Sequence, residues 1–370
     1  MAEVVVKDIR KKYGAVEAVK GLSFDVNDGE ILAILGPSGA GKTSTLKVIA
    51  GVIPLDGGEI YIAGRLVNGV PTPQRDVAMI FESYALYPHF TVYENLAFPL
   101  RAPGRKFSKT EIDQRVRWAA DLLRIPELLE RKPRELSSGQ KQRVSVGRAL
   151  VRKPACYLMD EPISHLDAKL RHAMRAELKK IMEETLHTST IYVTHDYTEA
   201  MALANKAIVI DKGEMQQFAT PDDIFNRPAN QFVAHVVGSP PINFLDCHVA
   251  SEDGELYLAA DDGSFRLAVV DRFKAPLAAR SDPSVKIGVR PIDISVSAQS
   301  DDHFHIPAEV YIFEPLGAKG ILTAQVGGKI VQIVTEHDLH VQIGDRVWLA
   351  FDPAQIHVFD SATTRNVLLS

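Results

Sequence analysis

Residues 36–43 read GPSGAGKT, directly after the apolar run EILAIL and directly before a segment in which Leu46, Ile49 and Ala50 recur at helical spacing. Gly51 then offers a C-terminal stop. The spelling fits G-x-x-x-x-G-K-[ST] at every fixed position, and its order is strand, glycine loop, helix. Such a loop turns backbone amides inward around an anion, and the helix start adds partial positive charge. A chance glycine-rich turn is the plain alternative, and the flanking strand and helix disfavour it. The candidate phosphate site is therefore Gly36, Pro37, Ser38, Gly39, Ala40, Gly41, Lys42, Thr43 and Ser44. In it Lys42 reaches the terminal phosphates and the Thr43 hydroxyl ligates Mg²⁺.

A second element completes that chemistry. CYLMDE, 156–161, is an apolar strand ending in two carboxylates. Asp160 would hold the Mg²⁺ through water, and Glu161 would orient or deprotonate the attacking water. An acidic strand end exposed to solvent is the bland reading, and it is weaker beside an intact phosphate loop. These two motifs leave kinases, GTPases, helicases and transport ATPases open.

RELSSGQKQRVSVGRAL narrows the field. Ser137 and Gln140 have capping-box spacing, so Ser137 should cap a helix whose free amides, with Gly139, form a second phosphate-facing surface. By itself Ser-x-x-Gln marks an ordinary helix start. Shortly before the acidic strand, it resembles the signature motif of ATP-binding cassette (ABC) ATPases, and the resemblance covers essentially the whole chain. Tyr13 is similar to the family's aromatic residue that stacks on adenine. SHLD, 164–167, is similar to its dimer-contact loop, with Asp167 at the end. His195, in VTHD, is similar to the switch histidine that senses the γ-phosphate.

The resemblance implies ATP and Mg²⁺ as cofactors and two cassettes packed head to tail. ATP on one chain's loop is then covered by Ser137, Ser138, Gly139, Gln140 and Asp167 of the other. Lys42, Glu161, His195 and Glu82 are the implied catalytic set, and Thr43, Glu82 and Asp160 the implied metal set. Two departures stand out: Glu82 replaces the family's usual glutamine, and Ser138 replaces one of two usual glycines. Ionised, Glu82 can ligate Mg²⁺ but adds negative charge and cannot donate as an amide does. Pairing with a different, paralogous cassette, rather than a homodimer, would separate these two substitutions into different ATP sites.

FESYALYPHF, 81–90, is too aromatic for an ordinary loop and too polar for a core strand. It resembles the family's loop that receives a short helix from a membrane permease, with Tyr84, Leu86 and Tyr87 as candidate contacts. A plug between subdomains is the alternative. The tail segments GSPPINFLD, GVRPIDISV, VYIFEPLGAKGIL and FDPAQIHVFD are similar to the accessory barrel of maltose-type importers. Such systems have two permeases, two cassettes and an extracytoplasmic solute-binding protein. The implied function is ATP-driven uptake of a sugar, sugar phosphate or polyol such as glycerol, at the cytoplasmic face of the inner membrane. A soluble ABC-type regulatory or RNA-associated ATPase is the rival.

Composition bounds these readings. A chain of 370 residues exceeds the ~250 to 300 at which single cores stop growing, so two domains are expected. A net charge of −5 argues against a general nucleic-acid binder. MAEVVVKDIRKKYG carries charges too early for a signal peptide, and no apolar run approaches the ~20 residues of a spanning helix. Cys156 and Cys247 stand in unrelated contexts. His303 and His305 can share a strand face, but without a further ligand they read as a solvated edge. The expected fold class is α/β: a P-loop ABC ATPase domain at 1–238, then a C-terminal all-β OB-like barrel at 239–370. The first has an antiparallel β subdomain, a parallel-sheet core and a helical subdomain at about 88–153. From Asn243 onward the chain reads as short strands without helical stretches.

Overall fold

The computed structural model describes residues 2–102, 104, 106–164, 166–182, 187–301 and 305–369. His165 and His303 therefore lie outside the described residues. The chain forms two compact units that divide between Pro221 and Asp222.

The first unit is built on a six-stranded sheet. Its order is Glu214–Ala219, Lys206–Asp211, Ile31–Leu35, Ser189–Thr194, Cys156–Asp160 and Val77–Ile80. The five strands from Lys206–Asp211 to Val77–Ile80 run parallel, and Glu214–Ala219 closes one edge antiparallel. Every residue of Ile31–Leu35, Cys156–Asp160 and Ser189–Thr194 is buried, as strands covered on both faces require. One apolar core joins the sheet to the helices Val92–Ala97, Lys109–Leu122 and Ser138–Leu150. A second joins it to helix Lys42–Ala50 and to a four-stranded antiparallel sheet containing Ala2–Tyr13 and Val16–Asn27. The antiparallel, parallel and helical parts expected of this unit are all present.

Helix Lys42–Ala50 carries the phosphate loop, and its far end is held by a residue that no local pattern announces. Gly51 ends the helix in the left-handed region at φ 73°. The buried Arg75 guanidinium donates to the Val48 and Ile49 carbonyls at 2.9 and 3.0 Å, and to those of Val70 and Asn68 at 2.8 and 3.1 Å. A cation at a helix C-terminus is favourable, and Arg75 shares the Val48 carbonyl with the Gly51 amide, which donates to it at 3.0 Å. A Cβ on Gly51 would lie 2.4 Å from Arg75 Nε, so the glycine is needed for both its backbone and its lack of bulk.

The second unit has two five-stranded antiparallel sheets around one apolar core, the OB-like arrangement expected of the tail. Asn243–Glu252 is central in one, and Ile306–Leu316 in the other. Two expectations need correction. The tail is not free of helix, because DRFKAPLA forms the helix Asp271–Ala278, whose Phe273 and Leu277 are buried in the core. The boundary also precedes the expected 238/239 junction. Residues 222–238 pack on the strands: Arg290 donates to the Phe225 and Val237 carbonyls and stacks 3.6 Å over the Phe225 ring.

Arg75→Met removes the guanidinium while keeping an apolar stem, leaving buried carbonyls unsatisfied. Equilibrium urea unfolding should show a loss of roughly 2–4 kcal/mol. An unchanged midpoint would mean that the helix end is satisfied without it.

Candidate active site

The site is assembled at the ends of three neighbouring parallel strands. Ile31–Leu35 delivers the phosphate loop, Cys156–Asp160 delivers Asp160 and Glu161, and Ser189–Thr194 delivers His195. The loop's shape depends on glycine. Gly36, Gly39 and Gly41 have φ of 158°, 81° and 103°. A Cβ on Gly36 would sit 2.3 Å from the Ile210 carbonyl oxygen, and one on Gly41 2.3 Å from that of Ala18. Thr45 donates through both its amide and its hydroxyl to the Gly41 carbonyl, tying the loop to the first turn.

The functional side chains are joined in one network. Lys42 is buried and donates to the Gly36 and Pro37 carbonyls at 2.9 and 3.1 Å, with Glu161 Oε1 3.8 Å away. The Thr43 hydroxyl donates to Asp160 Oδ1 at 2.9 Å. Glu161 Oε2 lies 2.7 Å from His195 Nδ1. Burial pushes the Lys42 pKa down, opposed by the Glu161, Asp160 and Glu82 carboxylates. Burial also pushes the Asp160 carboxyl up; the Thr43 hydrogen bond pulls it back while Glu161 and Glu82 raise it further. Glu161 stands at φ 45°, an unfavourable backbone for a side-chain-bearing residue, and its amide N–H donates to the Val193 carbonyl at 3.0 Å.

These residues fit a magnesium nucleotide. The Asp160, Glu161 and Glu82 carboxylates all bear on the Lys42 ammonium, so a divalent cation held by Asp160, Glu82 and the Thr43 hydroxyl would relieve negative charge there. The Lys42 ammonium now rests on backbone carbonyls, neutral partners that a phosphate would outcompete. Tyr13 is exposed, and its hydroxyl lies 3.4 Å from the Ser44 hydroxyl, which sets an aromatic face beside the loop's helix.

The signature residues stand at a different place, the start of helix Ser138–Leu150. Ser137 accepts from the Gln140 amide at 3.3 Å, and Gln140 Oε1 accepts from the Ser137 amide at 2.9 Å, completing the capping box. Ser137 and Ser138 are exposed and Gly139 is buried. Asp167 is exposed just before the helix Ala168–Lys180.

The loop 81–90 divides its expected contact residues. Tyr84 lines a groove of about 150 Å³ beside Arg148. Leu86 packs on the apolar core, and Tyr87 stacks against Phe90 and Phe98 with centroids 5.4 and 4.5 Å apart. Tyr84 and Ala85 both have left-handed backbone, and Ser145 donates to the Tyr84 carbonyl at 3.0 Å. The fully buried Asn95 shapes the rest: it accepts from the Tyr87 amide and donates to the Tyr87, Phe90 and Thr91 carbonyls.

Two positioning residues are silent in the sequence. Asn95 is one, and Glu199 is the other. The buried Glu199 carboxylate accepts from the Tyr192 and Thr194 hydroxyls at 2.9 and 2.7 Å, and Thr194 accepts from the Asp196 amide at 3.0 Å. This fixes the strand end that carries His195. A glutamate in a helix's first turn reads as a dipole partner, so no local signal distinguishes it.

The Asp160 environment has a measurable consequence. Its folded pKa lies above the unfolded value, so the folded state holds the proton more tightly and ionisation costs stability as pH rises through that range. Asp160→Asn should therefore stabilise the nucleotide-free chain at pH 7 by urea unfolding. The difference should vanish below about pH 4, where the carboxyl is neutral in both states. A variant less stable than wild type at pH 7 would reverse the assignment of Asp160 as a desolvated anion.

The chain has relatives among known proteins along its full length. The ABC transporter family matches residues 19–164, and the TOBE domain matches residues 287–359. The chain is 46% identical to the trehalose/maltose import ATP-binding protein MalK of Thermococcus litoralis, over 99% of this chain and 100% of that protein. It is 42% identical to the sn-glycerol-3-phosphate import ATP-binding protein UgpC of Cereibacter sphaeroides, over 99% of this chain and 100% of that one. Among solved structures, the dimeric post-hydrolysis state of the ATP-binding cassette MJ0796 bound to ADP and Pi aligns with a TM-score of 0.53 at 30% identity. That alignment covers 59% of this chain and 98% of the other. With both family matches and relatives that are similar along the full length, the chain belongs to the ABC transporter ATPase family.

Proposed function

We propose that this chain hydrolyses ATP as one of two head-to-tail cassettes of an importer for a sugar, sugar phosphate or polyol. The single observation that carries the hydrolytic reading is the grouping of Lys42, Thr43, Asp160, Glu161 and His195 at the ends of three neighbouring parallel strands. Lys42 and the loop amides hold the phosphates, and Tyr13 stacks on the base. Thr43, Asp160 and Glu82 hold Mg²⁺, which supplies charge neutralisation at the phosphates when bound. Glu161 orients or deprotonates the attacking water, and His195 holds Glu161 in place through the 2.7 Å contact. Ser137, Ser138, Gly139, Gln140 and Asp167 are exposed or at an exposed helix start, as a surface that serves a partner's nucleotide must be.

The names of the relatives support the transport reading: both are import ATP-binding proteins, one for trehalose/maltose and one for sn-glycerol-3-phosphate. No helix among the described residues is long and apolar enough to cross a membrane. The reading therefore supplies two separate permeases and an extracytoplasmic solute-binding protein, with this chain at the cytoplasmic face of the inner membrane. The 150 Å³ groove beside Tyr84 is the proposed seat of a permease helix.

Glu161→Gln should keep ATP binding and slow turnover by roughly 10² to 10⁴. Lys42→Ala should lose nucleotide binding itself. Both are read by stopped assays of phosphate release alongside nucleotide-binding titrations. Wild-type turnover in either variant would remove that residue from its role.

Tyr84→Asp tests the groove. Aspartate tolerates the left-handed backbone at this position at least as well as tyrosine, so the loop's path should survive. Co-purification with the permeases should fall while ATP binding by the isolated chain persists, because the substitution removes the aromatic ring and sets a carboxylate beside Arg148 where an apolar helix face is proposed to seat. Undiminished assembly would place the permease contact elsewhere.

A further inference from the structure

The turn that ends in the exposed Asp167 and the strand end that bears His195 follow neighbouring strands of one sheet, yet their sequences share no motif. One side chain joins them. Arg171 stands in the first turn of helix Ala168–Lys180 and reaches both ways. Its amide donates to the Asp167 carbonyl at 2.8 Å, and its Nη2 donates to the Ser164 and Leu166 carbonyls at 3.2 and 3.0 Å. Its Nη1 faces Asp196 Oδ2 at 3.9 Å. Burial pushes the Glu199 carboxyl up, and the Arg171 charge is among the influences that pull it back.

These contacts close a ring around the hydrolytic pair. The Ser164 hydroxyl donates to the Glu161 carbonyl at 3.0 Å, which ties the turn back to the carboxylate it follows. Asp196 divides its oxygens: Oδ1 accepts from the Thr198 amide and hydroxyl at 2.8 and 2.6 Å, and Oδ2 is turned to Arg171. The Asp196 amide donates to the Thr194 hydroxyl, which Glu199 holds. Between Thr194 and Asp196 stands His195, with Nδ1 2.7 Å from Glu161 Oε2. An ionised carboxylate accepts and cannot donate, so this contact selects an imidazole with its proton on Nδ1. A part-exposed ion pair at 3.9 Å contributes little to stability, whereas a guanidinium held on two carbonyls is a fixed geometric constraint. The value of Arg171 therefore lies in what it holds in place.

We propose that Arg171 is a positioning residue for hydrolysis: it ties the turn carrying Asp167 to the Glu161–His195 contact, so that a second cassette seated on that turn fixes the contact. The inference rests on the hydrolytic, head-to-tail reading above and adds the side chain through which the turn acts. Arg175, one turn further along the helix, donates to the Thr198 hydroxyl at 3.0 Å and braces the same two helices, which makes it the natural control.

The test uses the full chain with isotopically labelled histidine. Ring-nitrogen shifts report which imidazole nitrogen carries the proton, and the His195→Ala spectrum assigns the His195 signals. Wild type should show the Nδ1-protonated form, and Arg171→Gln should turn it into a mixture of tautomers. In assays of phosphate release, Arg171→Gln should lower kcat by ~10-fold or more while KM for ATP stays within about twofold. In the His195→Ala background the same substitution should cost nothing further, because residues acting through one contact are not additive. Arg175→Gln should leave both the tautomer and the turnover as in wild type. If Arg171→Gln does not fold, Arg171→Lys is read in the same way, since it keeps the charge and loses the fork. An unchanged His195 tautomer, a further loss in the His195→Ala background, or an equal effect of Arg175→Gln would overturn the proposal. A wild-type chain that releases no phosphate overturns the hydrolytic reading itself; one that does, with the His195 tautomer unmoved in Arg171→Gln, overturns the Arg171 inference alone.

Discussion

The Asp160, Glu161 and Glu82 carboxylates bear together on the Lys42 ammonium at the head of helix Lys42–Ala50, and the site is organised around that concentration of negative charge. Asp160 and Lys42 are both withdrawn from water, and Glu161 is largely so. Isolated, such groups would be costly to bury. They are tolerable because each has a fixed partner: Thr43 for Asp160, loop carbonyls for Lys42, His195 for Glu161. The residual negative charge is the feature that makes a cation-bearing nucleotide welcome. The left-handed backbone at Glu161 belongs to the same logic, since it turns a carboxylate out of the strand end while the sheet bond to Val193 keeps the strand in register.

What could be read from the sequence follows from how far apart the interacting residues are. The phosphate loop was legible because its function is executed by consecutive backbone amides, and three glycines spell that backbone directly. The cap at Ser137 was legible for the same reason, being closed by a residue three positions on. Arg75 was not, because it reaches back to carbonyls of Val48 and Ile49, and a carbonyl has no sequence signature. Glu199 and Asn95 were hidden likewise by partners that are hydroxyls and main-chain groups. The helix Asp271–Ala278 was missed because Pro276 lies inside it and β-branched runs surround it; its two core anchors, Phe273 and Leu277, outweigh the proline. The expected junction at 238/239 followed a Gly-Pro-rich stretch, whereas packing assigns residues 222–238 to the second unit.

The six-stranded sheet explains why the site can be both strained and reproducible. Its central strands are buried from both faces by two separate cores, so their ends cannot drift relative to one another without opening one core or the other. The phosphate loop, the acidic pair and His195 inherit that fixity. Adjustment is left to the segments beyond the strands, where glycine or a left-handed residue already sets the bend.

Asn95 has an implication of a different kind. One buried amide group defines the path of the loop from Tyr87 to Thr91, while Ser83, Ala85, Pro88 and His89 remain exposed on its surface. Shape and surface identity are thereby written in separate residues. Over evolutionary time the exposed positions can be rewritten to suit a new neighbour without any redesign of the loop, so one scaffold can be handed from one transport assembly to another by a few surface replacements.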